Sequence, residues 1–286
     1  MPKPAFPNSL ASPSLVAQIL TDKYAMGLPL YRQEQELSRL GFELSRQTMA
    51  NWAIKSSDWL SILYEPMKKA LLKRDILHAD ETTLQVLREP GRAAQTDSCL
   101  WLYRSGRDGP PIVLFEYQAT RSRAHPAAFL SGYSGFLQVD GYPVYERISD
   151  SIVVVGCWAH ARRGFIEALE AVPAALRLAK KSSLAQQGLD YCNKLYSIES
   201  SLKDATAEVR WQARNERSQK VLDEFHGWLD RQSLSALPKS LTGKAIEYCR
   251  NQWPKLTAYL SDGRLEIDNN RSERSPRARV RASSRL

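Results

Sequence analysis

The chain has 286 residues, 43% apolar and 25% charged, the proportions of an ordinary globular protein with material for one large domain or two to three small ones. Its net charge of +9 and pI near 9.4 favour a polyanionic partner, a basic enzyme with no such partner being the plain alternative. No apolar run reaches the eighteen or so residues of a membrane span, the N-terminus lacks the apolar stretch of a signal peptide, and the four cysteines (Cys99, Cys157, Cys192, Cys249) are too scattered for a disulfide frame, reading as reduced cytosolic thiols.

Residues 1–13 hold four prolines and no periodicity, which predicts a flexible lead. Ser14 is placed to cap a helix through Leu15, Val16, Ile19 and Leu20 to Tyr24. Gly27 and Pro29 break the chain, a second helix runs from Leu30 to Leu40, and Gly41 ends it. Ser45 then caps a third, short helix with Arg46, Gln47, Thr48 and Asn51 near its start. Helix, glycine turn and helix make the outline of a helix-turn-helix, with Arg46, Gln47 and Asn51 as DNA contacts. The alternative is a three-helix packing unit around Trp52. A further helix from Trp59 to Leu72 completes a module over 14–73.

The stretch from Arg74 to Leu87, RDILHADETTLQVL, reads as a strand with an acidic knot, Asp80-Glu81, at its centre. A buried carboxylate is costly unless it is paired or binds a metal. Strands Cys99–Arg104 and Ile112–Tyr117 follow through turn-rich links, as in an antiparallel meander. A helix at Pro126–Leu130 leads to a fourth strand, Gly135-Phe-Leu-Gln-Val-Asp140, about sixty positions after Asp80. A helical turn at Tyr142–Arg147, a fifth strand in the apolar run Ser151-Ile-Val-Val-Val-Gly156-Cys-Trp, buried on both faces, and a helix over 160–171 close this region. The order β-β-β-α-β-α-β-α predicts an α/β fold: a ribonuclease H-like mixed five-stranded sheet with flanking helices, over 74–171.

Residues 172–256 change to a helical composition, with Leu184, Leu189, Cys192, Leu195, Ile198 and Leu202 at helical spacing, and predict an insertion of three to four helices. Pro238 and Pro254 mark boundaries in it. The chain ends over 257–286 with an Asp-Gly turn, a last helix capped by Asn269 or Asn270 and containing Glu273, and a basic tail in which Pro276 interrupts the helix.

Two aspartates on separate strands, followed by a helical acid, point to two-metal phosphodiester chemistry. Two Mg²⁺ ions about 4 Å apart activate the attacking oxygen and stabilise charge at phosphorus, and such hard cations prefer carboxylate oxygens. Taken singly, each acid reads as a solvated strand-end residue or a salt-bridge partner; the set favours the metal site. His78, two residues from Asp80 on the same strand face, is read as structural. Cys157 and His160 have a zinc-like spacing without a second ligand pair, so packing behind the site is the main reading, with His160 touching DNA or a carboxylate. Arg162 and Arg163 either contact phosphate or form a solvated helix face.

HADET (78–82), QVDGYPVY (138–145), GCWAHARRGFIEA (156–168) and DGRLEIDNNRSER (262–274), in this order, resemble the bacterial transposase family of insertion sequence sixty-six, a DDE type. The resemblance spans about residues 10–274. It implies a ribonuclease H-like core that cuts transposon ends and joins 3′-hydroxyls to target DNA with Mg²⁺ or Mn²⁺. It also implies a cytoplasmic, nucleoid-associated homodimer on DNA, separate accessory transposition proteins and no membrane. Carried over, the acids are Asp80, Asp140 and Glu273, with Glu266 the second choice. Members usually begin with a zipper-like and a cysteine-rich segment and continue the last helix beyond Arg274, so truncation at both ends is expected. The rival expectations are a DNA-binding protein without catalysis and another ribonuclease H-like nuclease.

Overall fold

The computed structural model describes residues 3–87, 89–172, 183–273 and 275, Glu273 by its backbone alone. Three long strands, β1 (Ile76–Gln85), β2 (Asp97–Ser105) and β3 (Val113–Gln118), form the antiparallel meander. Two short strands, β4 (Gly135–Gln138) and β5 (Ile152–Val155), join it in parallel, giving the order β3-β2-β1-β4-β5. This is the ribonuclease H-like mixed sheet. Its parallel pairs are reached through helical connections, as parallel pairing requires.

Alternation along β1 and β4 sends the two faces of the sheet into different cores. Leu77, Ala79, Leu137 and Val139 pack with Trp101, Tyr103, Phe129 and Leu71 on one side. Ile76, Phe136 and Val155 pack on the other against Trp158, Phe165 and the helices that follow. That side carries α5 (Trp158–Glu170) and the insertion helices α6 (Leu184–Ser201), α7 (Ala207–Ala213), α8 (Gln219–Ser233), α9 (Leu241–Asn251) and α10 (Trp253–Thr257). Within the insertion α7, a π turn (Arg214–Ser218) and α8 run on without a break, and 173–182 lie outside the described residues. Pro254 stands in the first turn of α10, where its missing N–H is harmless.

The N-terminal part has its own core of Phe6, Ala11, Val16, Ile19, Leu30, Met49 and Trp52. The expected loose lead is therefore packed from Ala5 on: Phe6 is 3% exposed and stacks on Trp59 at 4.7 Å. Helix α1 (Pro13–Leu20) is capped by Ser12 rather than Ser14, because Pro13 takes the first helical position and the Ser12 hydroxyl accepts from the Leu15 amide. A π turn, Thr21–Ala25, extends it.

Helix α2 (Leu30–Arg39) ends at Gly41, whose φ of +84° no β-branched residue adopts comfortably. The two helices expected over 45–54 and 59–72 are one, α3 (Arg46–Leu72), with Pro66 inside it. No glycine lies between Trp52 and Trp59. The hydroxyls of Ser56, Ser57 and Ser61 turn back onto carbonyls three or four residues earlier, so these serines stay helical. Strand β5 is the sheet edge, with Val153 47% exposed, which corrects the expectation of burial on both faces. The short helices α4 (Ala124–Phe129) and α11 (Asn270–Glu273) complete the chain.

Candidate active site

The acidic knot of β1 divides between the two faces of the sheet. Glu81 points into the core with the odd-numbered residues, where Tyr145 donates to it at 2.7 Å and Arg121 pairs with it. Arg121 also stacks on the Tyr142 ring at 3.7 Å. These ties make Glu81 a structural carboxylate. Asp80 lies in the opposite set with Ile76 and His78; it is 4% exposed, and one carboxylate oxygen accepts from the Glu81 amide at 2.9 Å.

Asp140 lies two residues beyond the end of β4, which corrects its expected place inside a strand. Gly141 and Pro143 follow it, and its carboxylate accepts from the Tyr142 amide at 3.0 Å in a turn. The parallel register pairs Ile76 with Phe136, Leu77 with Leu137 and His78 with Gln138. The paired register ends at His78 and Gln138, two residues before Asp80 on β1 and two before Asp140 in the turn. The carboxyl end of a parallel strand pair is where open α/β sheets bind their ligands. Gly141 is packed so closely that a Cβ there would lie 2.5 Å from the Tyr248 hydroxyl, so α9 closes one side of this end.

The C-terminal segment is laced over the row beneath the two aspartates. The buried Gln138 amide donates to the carbonyl of Asp268 at 3.1 Å and to that of Glu266, and accepts from the Glu266 amide at 3.3 Å. Asn269, 1% exposed, donates to the carbonyl of Ala79 at 2.9 Å, which fixes its other side-chain atom as the acceptor. That oxygen lies 2.9 Å from His78 Nδ1 and accepts from the Ser272 hydroxyl at 3.0 Å. His78 therefore carries its proton on Nδ1. Burial pushes its pKa down to about 4, so the ring is neutral at physiological pH. The backbone amide of Asn269 donates to Cys157 Sγ at 3.2 Å. Burial pushes that thiol up to about 12, and Cys157 acts as a packed thiol.

Asn269 thus fastens α11, which begins at the next residue, to β1 at the position preceding Asp80. The backbone of Glu273 lies in α11; its side chain lies outside the described residues, as does Pro276. Glu266 is committed elsewhere: one of its oxygens accepts from Arg107 Nε at 2.8 Å and from Arg271 Nε at 2.7 Å. Burial acts to raise the Glu266 carboxyl, and the hydrogen bond from Arg107 with the hydrogen bond and charge of Arg271 outweigh it, holding the pKa below the ordinary value. Among the described residues no three His, Cys, Asp or Glu side chains converge to hold a metal. Asp80 and Asp140 each carry the hard carboxylate oxygens that suit Mg²⁺ or Mn²⁺.

The other expected site residues fall in three places. Arg46, Gln47 and Asn51 are exposed at the start of α3; Gln47 donates to Asn51, and the Arg46 amide donates to Glu34 of α2. Arg162 donates to Asn193 and Arg163 is exposed on α5. His160 keeps a buried Nδ1 without a partner among the described residues. Gln138 and Asn269 were not legible as site residues. For Gln138 a signal existed, since it precedes Asp140 by two and shares its face, as His78 does with Asp80.

Residues 8–282 match the family described as Transposase IS66 family. The chain is 32% identical to the uncharacterized protein y4qI of Sinorhizobium fredii over 284 residues, 94% of this chain and 51% of that protein. It is 31% identical to y4jD of the same organism, over 94% of this chain and 53% of the relative. The chain spans about half the length of the curated relatives it matches. Among the described residues no helix is long and apolar enough to cross a membrane.

Proposed function

The chain belongs to the IS66 transposase family, and from that premise we propose that it carries the DDE-type catalytic centre for cleaving transposon ends and transferring the 3′-hydroxyls into target DNA. The observation that supports this reading best is the parallel β1–β4 register, which ends at His78 and Gln138, each two residues before one of the aspartates, next to the point where Asn269 fastens α11 to β1. Asp80, Asp140 and Glu273 are the proposed metal-holding acids. Glu266 is the less favoured third, because two arginines already hold it.

When bound, Mg²⁺ or Mn²⁺ would activate the attacking oxygen and stabilise the charge that builds on the phosphorus. Asp80 and Asp140 supply oxygens to it. Asn269 positions the α11 backbone against β1, and neutral His78 holds Asn269 in the orientation that reaches Ala79. In the same reading Arg46, Gln47 and Asn51 meet DNA from the N-terminal module, and His160, Arg162 and Arg163 meet it from α5. The divisions 14–73, 74–171, 172–256 and 257–286 are then the DNA-reading module, the catalytic core, the helical insertion and the last helix with its tail. The working form is a homodimer on paired ends, aided by accessory transposition proteins, in the bacterial nucleoid.

A Mn²⁺-dependent nicking and strand-transfer assay on the intact chain, beside Asp80→Ala and Asp140→Ala, tests the reading. Each substitution should lower the rate by more than the roughly 10–100-fold typical of residues one shell from a metal. Equal cleavage by the parent and both variants would remove the aspartates from the reaction. Salt-dependent DNA binding with no cleavage in any of them would make the chain a binding protein only.

A further inference from the structure

A cleft of about 600 Å³, lined by neither Asp80 nor Asp140, opens between the helical insertion and the C-terminal segment. Five cationic side chains line it: Arg104, Arg107, Lys203, Arg210 and Arg271. Three carboxylates line it too, and each already has a partner. Glu266 is held by Arg107 and Arg271, and Glu199 by Arg210 and by Arg214 behind the wall. Asp268 accepts from the Tyr196 hydroxyl at 3.0 Å and from Asn270. Five cations against three acids leave an excess of two positive charges facing the space.

Two of the guanidinium groups have donors to spare. The Nε atoms of Arg104 and of Arg210, the latter 7% exposed, are buried in the cleft wall and find no partner among the described residues. Lys203 is exposed at the cleft and makes no ion pair among those residues. A concave site with surplus guanidinium and ammonium donors has the chemistry of a phosphate seat.

The position of the cleft ties it to the sheet. Arg104 lies opposite His78 in the β1–β2 register, and its guanidinium donates to the carbonyl of Arg271 at 2.8 Å. The 266–271 segment, which forms one wall of the cleft, is the segment laced to Gln138 and to Ala79. The opposite wall, Tyr196 to Arg210, comes from the insertion. Arg214, fully buried in a π turn (Arg214–Ser218), holds that wall to the carbonyls of Tyr259, Asp262 and Leu265.

We propose that this cleft seats backbone phosphates of a DNA strand next to the acid-bearing face, and that the helical insertion exists in part to supply Lys203 and Arg210 to it. The inference rests on the DNA-processing reading above. It adds a third contact surface, independent of the α3 and α5 residues.

The test is fluorescence anisotropy of a labelled random-sequence duplex with the intact chain in EDTA, so that binding is read without cleavage, over a salt series. The variant is Arg107→Ala/Lys203→Ala, both at exposed side chains, and the charge-matched control is Lys220→Ala/Lys239→Ala outside the cleft. Removing two phosphate-binding cations should lower the magnitude of the log K against log salt slope by about two and weaken binding roughly 10- to 100-fold at 50 mM salt. The control should keep the parent slope, and unchanged thermal melting verifies that both variants are folded.

Equal changes in variant and control would reduce the effect to net charge and overturn the proposal. So would inorganic phosphate binding in the cleft without displacing the duplex, which would make it a small-anion site. Asp80-dependent nicking with an unaltered slope would remove the cleft and leave the catalytic reading. A shifted slope in a chain that never nicks would do the reverse.

Discussion

Asn269→Ala is the perturbation that probes the architecture most sharply. The substitution removes a buried amide that donates to the Ala79 carbonyl and accepts from His78 and Ser272, three hydrogen bonds of 2.9 to 3.0 Å. At roughly 0.5–1.5 kcal/mol net for each, with the His78 N–H left unsatisfied in a buried site, the loss should be about 2–4 kcal/mol. Natural domains have only about 5–15 kcal/mol in all, so the variant should fold with a clearly lowered denaturant midpoint and an unchanged slope. Nicking should fall further than the folded fraction does, because α11 loses its fastening to the strand that carries Asp80. A cycle with His78→Ala separates the pair: the two losses should fall short of additivity by about 1 kcal/mol. A loss below about 0.5 kcal/mol for Asn269→Ala, with nicking intact, would refute the view that this amide joins the last helix to β1.

Three further outcomes follow from the same geometry. Asp80→Asn should abolish nicking and Glu81→Gln should not, the latter instead lowering stability by roughly 1–2 kcal/mol through its weakened ties to Tyr145 and Arg121; the reversed pattern, read by nicking and urea unfolding, would exchange their roles. Arg214→Ala should destabilise by roughly 3–5 kcal/mol, since it leaves the buried Glu199 to Arg210 alone and three carbonyls without their donor, and a near-neutral melting curve would contradict that. His78 has a folded pKa of about 4 against an ordinary 6.5, so between these values the unfolded chain binds the extra proton. Its contribution is complete above about pH 6.5 and is lost as pH falls toward 4, by at most roughly 1 kcal/mol per unit, and His78→Gln should flatten that limb of a pH series of denaturation midpoints.

The meander was legible because each strand alternates or runs apolar between glycine and proline turns. Element ends were less so. Ser12 and Ser14 both suit a cap, and only Pro13 between them decides for Ser12. Serines at 56, 57 and 61 resemble a break until their hydroxyls are seen to bond the helix's own carbonyls. The run Ile152–Val155 is apolar enough for a central strand, yet its place at the end of the sheet leaves Val153 in solvent. The contacts that organise the site were out of reach for a different reason. Asn269 meets Ala79 across 190 positions, and Arg214 reaches three carbonyls about fifty residues away, so neither leaves a periodic trace. Their chemistry is ordinary, and only the fold selects their partners.

The most direct measurement of the central claim is the anomalous difference density of a crystal of the intact chain soaked in Mn²⁺. A peak bridging the carboxylates of Asp80 and Asp140, and absent from Asp80→Ala, is the predicted result. Density confined to other sites, or a peak that survives that substitution unchanged, would contradict it.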